Sequence, residues 1–287
     1  PFLKIQYGCD TFCTYCIVPY ARGRSRSMSL ENVLENIRQL KQAGYHEVVL
    51  TGVHLGAYGL DLSPKADLTG LIGRICESNP IDRVRLSSIE PHEITDDIIQ
   101  LVAKTDIFCH HFHIPLQAGD DEVLKRMERT YDTAFFAKLV GKVRSKLPSS
   151  AICLDVITGF PGETDASFET AYEFIAGLPI TDLHVFPYSK RPGTPAATFP
   201  EQVSGPVSRA RAERLRCLAA EKYRRFAASF IGHEVEVVVE SASKASLLKG
   251  MTRNYLDVRF VGDPSLAGQC VKVKLLEWQD GALRGEL

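Results

Sequence analysis

The chain has 287 residues, with 34 Lys or Arg against 35 Asp or Glu, and is 45% hydrophobic and 24% charged. That composition is typical of a folded globular protein and excludes a disordered chain or a collagen-like fibre. No apolar run approaches the about eighteen residues of a membrane span, and a net charge of −1 removes global basicity as an argument for nucleic-acid binding.

In chain order, short β-type runs alternate with helical patterns. The runs are Phe2–Tyr7, Glu47–Leu50, Arg83–Leu86, His111–Leu116, Ile152–Ile157 and Asp182–Phe186. Helical spacing occupies Leu30–Ala43, Leu68–Ser78, Thr95–Lys104, Thr133–Lys146 and Asp165–Gly177. In the first of these, Leu30, Val33, Leu34, Ile37 and Leu40 make one apolar stripe, with Ser29 as N-cap and Gly44 as stop. Alternation of this kind predicts parallel β/α units forming an α/β barrel, with chemistry where strands end and loops begin. After Phe186 the pattern changes. Residues 187–207 are rich in Pro, Gly, Ser and Thr, and Ser208–Phe230 reads as one helix with seven basic residues against two acidic ones. Four short strands then predict a small antiparallel β-barrel: Glu234–Glu240, Tyr255–Phe260, Val271–Leu276 and Ala282–Glu286. The expected division is 1–200, a linker helix over 201–231, and 232–287.

Eight cysteines are present, and three crowd into Cys9, Cys13 and Cys16, just after the first strand. Crowding of this kind points to a reducing compartment and a metal or redox site, not a disulfide framework. Thiolates are soft ligands that select zinc, copper(I) or iron–sulfur clusters. A closed zinc site needs a fourth ligand that is not nearby in sequence, and a disulfide would strand one thiol. Three thiolates on a four-iron cluster leave one iron open to a substrate. Three structural cysteines clustered by chance are the plain alternative. The remaining cysteines, Cys76, Cys109, Cys153, Cys217 and Cys270, read as buried hydrophobes.

The C-x3-C-x2-C spacing with Tyr15 before the last cysteine resembles the signature of radical S-adenosylmethionine (SAM) enzymes. The stretches 7–23, 51–53, 113–119, 126–131 and 155–164 resemble the methylthiotransferase family within that superfamily. The stretches 50–59 and 186–194 are most similar to the branch acting on threonylcarbamoyladenosine beside the tRNA anticodon. The resemblance implies a partial (β/α)6 TIM-like barrel of the radical SAM fold, closed by a TRAM-like RNA-binding β-barrel. It implies a [4Fe–4S] cluster on Cys9, Cys13 and Cys16, with SAM chelating the open iron. One electron from the reduced cluster then splits SAM into methionine and a 5′-deoxyadenosyl radical. The SAM site implied comprises Tyr15, Thr51, Gly52, Gln117, Arg129, Asp155, Ile157 and Gly159. Singly, each has a plain reading as a turn, a strand end or, for Arg129, a solvated helix face.

For RNA, Arg22, Arg24 and Arg26 follow the cysteine loop with no acid before Glu31, and Arg209, Arg211 and Arg216 lie on the long helix. Such runs meet phosphates or simply face solvent. From Gly232 onward, seven Lys or Arg face eight Asp or Glu, so RNA binding there would need a local face and stacking by Tyr255, Phe260 or Trp278, each equally readable as core. His54, His92, His110, His111 and His113 read as strand-end or core residues, and Glu90 and Asp155 as carboxylates without a visible partner. Methylthiotransferases also carry an N-terminal domain with a second cluster. The start at Pro1 without Met, and the single cysteine triplet, read as a processed or excised segment. Such a segment is expected to bind one cluster and cleave SAM without completing transfer. The expected setting is a cytoplasmic, membrane-free monomer that meets a tRNA anticodon stem-loop and takes electrons from a flavodoxin or ferredoxin. The alternatives are a ribosomal-protein methylthiotransferase and a non-catalytic iron–sulfur module that binds RNA or senses redox state.

Overall fold

The fold was obtained as a computed structural model, which describes residues 1–242 and 246–287. Six parallel strands carry its first part: β1 (Phe2–Tyr7), β3 (Glu47–Gly52), β4 (Arg83–Leu86), β5 (His111–Gln117), β6 (Ala151–Thr158) and β7 (Asp182–Pro187). A two-residue strand, β2 (Arg26–Ser27), pairs antiparallel to β1 at the edge. The sheets run β2-β1-β3-β4 and β5-β6-β7. They meet through a parallel bridge of Val84 with Phe108 and through the Ile89 N–H donating to the His113 carbonyl at 3.0 Å. The result is a curved, partly closed barrel of six parallel strands.

Helices cover the outside because their apolar stripes match the strands' outward-facing residues. Val33, Leu34 and Ile37 of α2 (Leu30–Gln42) and Leu71, Ile72 and Ile75 of α3 (Leu68–Ser78) are buried. So are Ile98, Ile99 and Val102 of α4 (Asp96–Lys104) and Phe136, Leu139, Val140 and Val143 of α6 (Thr133–Lys146). Each is started by a side-chain cap: Ser29, Asp67, Thr95 and Asp132 accept from a backbone N–H two or three residues on. Helix α7 (Asp165–Gly177) begins with a capping box of Thr164 and Ser167. Two short helices that periodicity cannot reveal, α1 (Val18–Arg22) and α5 (Asp121–Arg126), follow the cysteine loop and β5.

Helix α8 spans Gly205–Ala228, starting three residues before the expected Ser208. Its cations are largely spoken for. Arg211 was expected to meet RNA, but it is 7% exposed and bonds Glu163 (6% exposed) at 2.6 Å, closing the β6–α7 turn. That expectation is corrected: the cation at this position neutralises a buried carboxylate. Arg214 pairs with Glu169, Arg216 with Glu213, and Lys222 donates to the carbonyls of Ala176 and Leu178. Cys217 is also corrected, since it lies exposed on this helix, whereas Cys109 and Cys153 are buried as expected.

Beyond α8, strands β8 (Glu234–Ala242), β9 (Leu247–Thr252), β10 (Asp257–Val261), β11 (Cys270–Gln279) and β12 (Ala282–Glu286) close a barrel in the order β10-β12-β11-β8-β9. Its pairs are antiparallel except β10–β12, which runs parallel. Phe260 is core here, and Trp278 packs edge-on against Tyr223 of α8. The barrel is bolted to the floor of the α/β body. Glu47 holds Arg83 and Arg85, each at 2.8 Å, and Arg85 then donates to the carbonyls of Thr252 (3.0 Å) and Arg253 (3.1 Å).

Removing Arg211 would leave Glu163 charged in a buried site with no cation. The substitution Arg211→Ala is expected to cost about 3 kcal/mol. A lowered thermal midpoint with unchanged RNA affinity is the expected measurement.

Candidate radical and cofactor site

The loop carrying Cys9, Cys13 and Cys16 leaves β1 at the end of the barrel where the parallel strands finish. It has little regular structure, so its backbone groups must be satisfied from outside. Three anchors do this. At the entry, the fully buried amide of Gln6 donates to the Tyr7 and Gly8 carbonyls and to Ser25 Oγ, each at 2.9 Å, while its oxygen accepts from the His54 N–H at 2.8 Å. In the middle, the Thr14 N–H reaches the Met127 carbonyl (3.3 Å), Thr14 Oγ1 the Arg126 carbonyl (2.9 Å), and the Thr14 carbonyl accepts from the Ala196 N–H (2.9 Å). The third anchor is Arg129.

Arg129 is not on a solvated helix face. Only 4% exposed, it pairs with Glu90, donates to Cys13 Sγ at 3.2 Å and Tyr15 Oη at 3.5 Å, and bonds Tyr131 Oη at 3.1 Å. Burial opposes its charge, but the electrostatic influence of Tyr15, Tyr131, Glu90 and Cys13 holds the guanidinium protonated. Tyr131 in turn donates to the carbonyls of Pro115 and Leu116, at 2.8 and 3.1 Å, at the end of β5. Glu90 therefore has the partner that sequence could not show. So does His54: it lies 3.5 Å from Cys9 Sγ through Nδ1 and 2.7 Å from Glu93 through Nε2. Burial would lower the His54 pKa, but the bonds to Cys9 and Glu93 outweigh it and raise it to about 10. Burial also acts to raise the Cys9 thiol, and the bond from His54 and the Thr11 N–H more than reverse it.

The other expected site residues end strands around this loop. Thr51 and Gly52 finish β3, and a Cβ on Gly52 would stand 3.0 Å from the Gln6 side chain, so a larger residue there would press on the Gln6 anchor. Gln117 ends β5 with φ of 66°, a left-handed backbone that turns the chain into the next loop. Ile157 lies on β6, half-buried. Gly159 follows with φ of +73°, and a Cβ would come within 2.4 Å of Ser208 on α8. Asp155, deeper on β6, accepts from His113 Nε2 at 2.8 Å and His184 Nδ1 at 3.2 Å. Sequence reasoning missed Gln6, Glu93, Tyr131 and His184, whose partnerships are set by the fold: Gln6 reaches His54, 48 residues on, Tyr131 the end of β5, and His184 Asp155, 29 residues back. Arg22, Arg24 and Arg26 are exposed beside the loop, with no carboxylate in ion-pair range among the described residues, and Arg209 is exposed next to Ser208.

The donor set suits an iron–sulfur cluster. All three thiols are free, and Cys9 and Cys13 each accept an N–H, from Thr11 at 3.4 Å and from Arg129. Among the described residues only His113, Asp155 and His184 bring three ligand atoms within 4.8 Å of one another. Three free, soft thiolates on one loop are a donor set that a multi-iron cluster takes with one iron left open. Replacing Gln6 with Leu would strand the His54 N–H and the Gly8 carbonyl. Gln6→Leu is expected to cost about 2–4 kcal/mol and to lower the iron bound per chain after anaerobic reconstitution, measured by iron and sulfide analysis.

Comparisons with known proteins agree with this geometry. The model of the radical SAM superfamily matches residues 3–175. Over 96% of its length the chain is 42% identical to the threonylcarbamoyladenosine tRNA methylthiotransferase MtaB of Bacillus subtilis (strain 168), covering 62% of that protein. It is 39% identical over 99% of its length to the tRNA-2-methylthio-N(6)-dimethylallyladenosine synthase of Clostridium botulinum (strain Loch Maree / Type A3), covering 64%. The chain thus spans a little under two thirds of these relatives. In fold it resembles the radical SAM methyltransferase TsrM of Kitasatospora setae, solved with cobalamin and a [4Fe-4S] cluster (TM-score 0.57, 17% identity, 68% of this chain and 38% of that one). It also resembles coproporphyrinogen III oxidase of Escherichia coli (TM-score 0.54, 16% identity, 77% and 52%). With its free cysteine triplet at the strand ends of a six-stranded parallel barrel, the chain belongs to the radical SAM superfamily, whose cofactors are a [4Fe–4S] cluster and S-adenosylmethionine.

Proposed function

We propose that this chain is the SAM-cleaving and RNA-contacting part of a tRNA methylthiotransferase that modifies C2 of N6-threonylcarbamoyladenosine next to the anticodon. The observation that carries the reading is the cysteine loop wired to Arg129, in a chain 42% identical to a protein named for that activity. When bound, the cluster and SAM supply one-electron reductive cleavage of the sulfonium C–S bond.

The chain's own residues bind and aim. Cys9, Cys13 and Cys16 hold three irons, and Tyr15 packs beside them. Arg129, kept oriented behind the loop by Glu90, supplies the guanidinium that takes the methionyl carboxylate. Thr51 and Gly52 offer backbone to the amino group at the end of β3, Gln117 offers an amide to ribose or carboxylate oxygens, and Asp155, Ile157 and Gly159 flank the adenine along β6. Arg22, Arg24, Arg26, Arg209 and Arg216 meet phosphates at the rim. The barrel of 232–287 is read as the TRAM-like RNA module, joined through 201–231 to the catalytic span 1–200. A polar interior bearing His113, Asp155 and His184 suits the threonylcarbamoyl group better than a dimethylallyl chain, whose recognition needs apolar walls. A flavodoxin or ferredoxin as donor, a monomeric state and a cytoplasmic setting complete the proposal; no helix among the described residues is long and apolar enough to cross a membrane.

Anaerobically reconstituted chain given SAM and dithionite is expected to release 5′-deoxyadenosine but to leave tRNA unmodified. The protein at the full length of the relatives should form the methylthio nucleoside, read by mass spectrometry of digested tRNA. Arg129→Met is expected to raise KM for SAM about ten- to a hundredfold, the worth of one charge-assisted pair. Failure to make 5′-deoxyadenosine would support the non-catalytic module instead. A mass shift on a ribosomal protein, with tRNA untouched, would assign the sibling reaction.

A further inference from the structure

Three neighbouring parallel strands each send one ligand-type side chain toward a common point: Asp155 of β6, His184 opposite it on β7, and His113 of β5, which is paired with Cys153 two residues earlier on β6. Both imidazoles converge on the same oxygen, Asp155 Oδ1, His113 through Nε2 at 2.8 Å and His184 through Nδ1 at 3.2 Å. The two rings are 5.0 Å apart between centroids and stand at 83°, so they approach from different directions and do not stack. All three ligand atoms lie within 4.8 Å of one another.

We propose that His113, Asp155 and His184 form a binding site for one divalent transition-metal ion, separate from the cysteine loop. The arithmetic of coordination supports it. Around an ion with bonds of about 2.1 Å, neighbouring ligand atoms stand about 3.0–3.4 Å apart in octahedral or tetrahedral geometry, close to the two N···O separations found here. Two imidazoles and one carboxylate are a nitrogen–oxygen set that takes zinc, cobalt, nickel or ferrous ions and leaves positions open. Asp155 supplies the shared oxygen: both imidazoles reach its Oδ1 from different directions. The backbone is equally prepared, because β5, β6 and β7 are hydrogen-bonded in continuous parallel register and no loop has to fold to bring the ligands together.

Access is open from two sides. His184 is 43% exposed, and His113 lines a cavity of about 470 Å³ that reaches His111, Arg85 and Tyr255 against the C-terminal barrel. The site is distinct in chemistry from the thiolate site. An ion here would present its open positions to the barrel interior, where an oxygen-bearing ligand can complete them. The site shares Asp155, His113 and His184 with the interior that the proposed function assigns to adenine and the threonylcarbamoyl group, so its test is made on the chain without SAM or tRNA.

Cobalt(II) separates the two sites, since thiolate ligation gives intense near-ultraviolet charge transfer and nitrogen–oxygen ligation gives only weak visible bands. The chain with Cys9, Cys13 and Cys16 changed to Ser, checked for folding by circular dichroism, is titrated with cobalt(II) alone. One saturating equivalent with visible bands and no thiolate charge transfer is expected. His184→Ala and Asp155→Asn on that background should each weaken binding at least about tenfold, with His113→Gln doing the same. In the unaltered chain with its cluster reconstituted, zinc analysis should find one ion beyond the iron. A folded triple variant that takes up no cobalt(II), or takes it up equally well after all three ligand substitutions, overturns the proposal.

Discussion

A loop of about ten residues without regular structure cannot hold three thiols in place unless other parts of the chain satisfy its backbone, and much of the catalytic end of this molecule is arranged to do that. The Gln6 amide ties the loop's entry to the end of β3, Thr14 ties its middle to the segment after α5 and to the turn at Ala196, and Arg129 ties its back to Glu90 and Tyr131. Each tie fixes something else. Gln6 packs closely on Gly52, and Tyr131 reaches the β5 carbonyls while Arg129 holds its hydroxyl. The loop and the strand ends form one unit, so displacing any one anchor moves the three cysteines and the strand-end residues together.

The barrel was legible in the sequence because each strand and helix repeats its signal locally. Alternating or continuous apolar runs located all six parallel strands to within two residues, and Leu68–Ser78, Thr133–Lys146 and Asp165–Gly177 are helices over the spans their periodicity marks. Local signals fail where elements are short or mixed. Strand β2 has two residues, α1 and α5 have five and six, and β9, with Leu247, Leu248 and Met251 set among Lys249 and Gly250, lacks a clean alternation.

The site was legible in its ligands and opaque in its wiring. Three cysteines in eight residues announce themselves, whereas the partners of Arg129 and Asp155 are set by strand order. Glu90 is 39 residues from Arg129, and His113 and His184 are 42 and 29 from Asp155. The same blindness turned Arg211 into an RNA candidate, because a cation on a helix looks alike whether it faces solvent or Glu163, 48 residues away. Charge patterns identify binding surfaces only after internal pairs have been subtracted. What remains exposed is Arg22, Arg24 and Arg26 beside the loop, and Arg209 at the head of α8.

The floor of the body obeys a different constraint from the rim. Arg83 is fully buried and Arg85 nearly so, an arrangement supported by Glu47 between them and by the β9 carbonyls of Met251 and Thr252, which accept one N–H from each. Glu47 is shared by both cations, and the C-terminal barrel answers the remaining charge with Glu236 of β8, 3.7 Å from Arg83, and with its backbone carbonyls. Separating the barrel from the body would therefore expose a guanidinium pair and strip it of acceptors at once. That cost favours a fixed attachment over a hinge. With the floor fixed, a substrate bound across both parts meets a rim and a barrel at a set spacing, and adjustment to it must come from the rim loops.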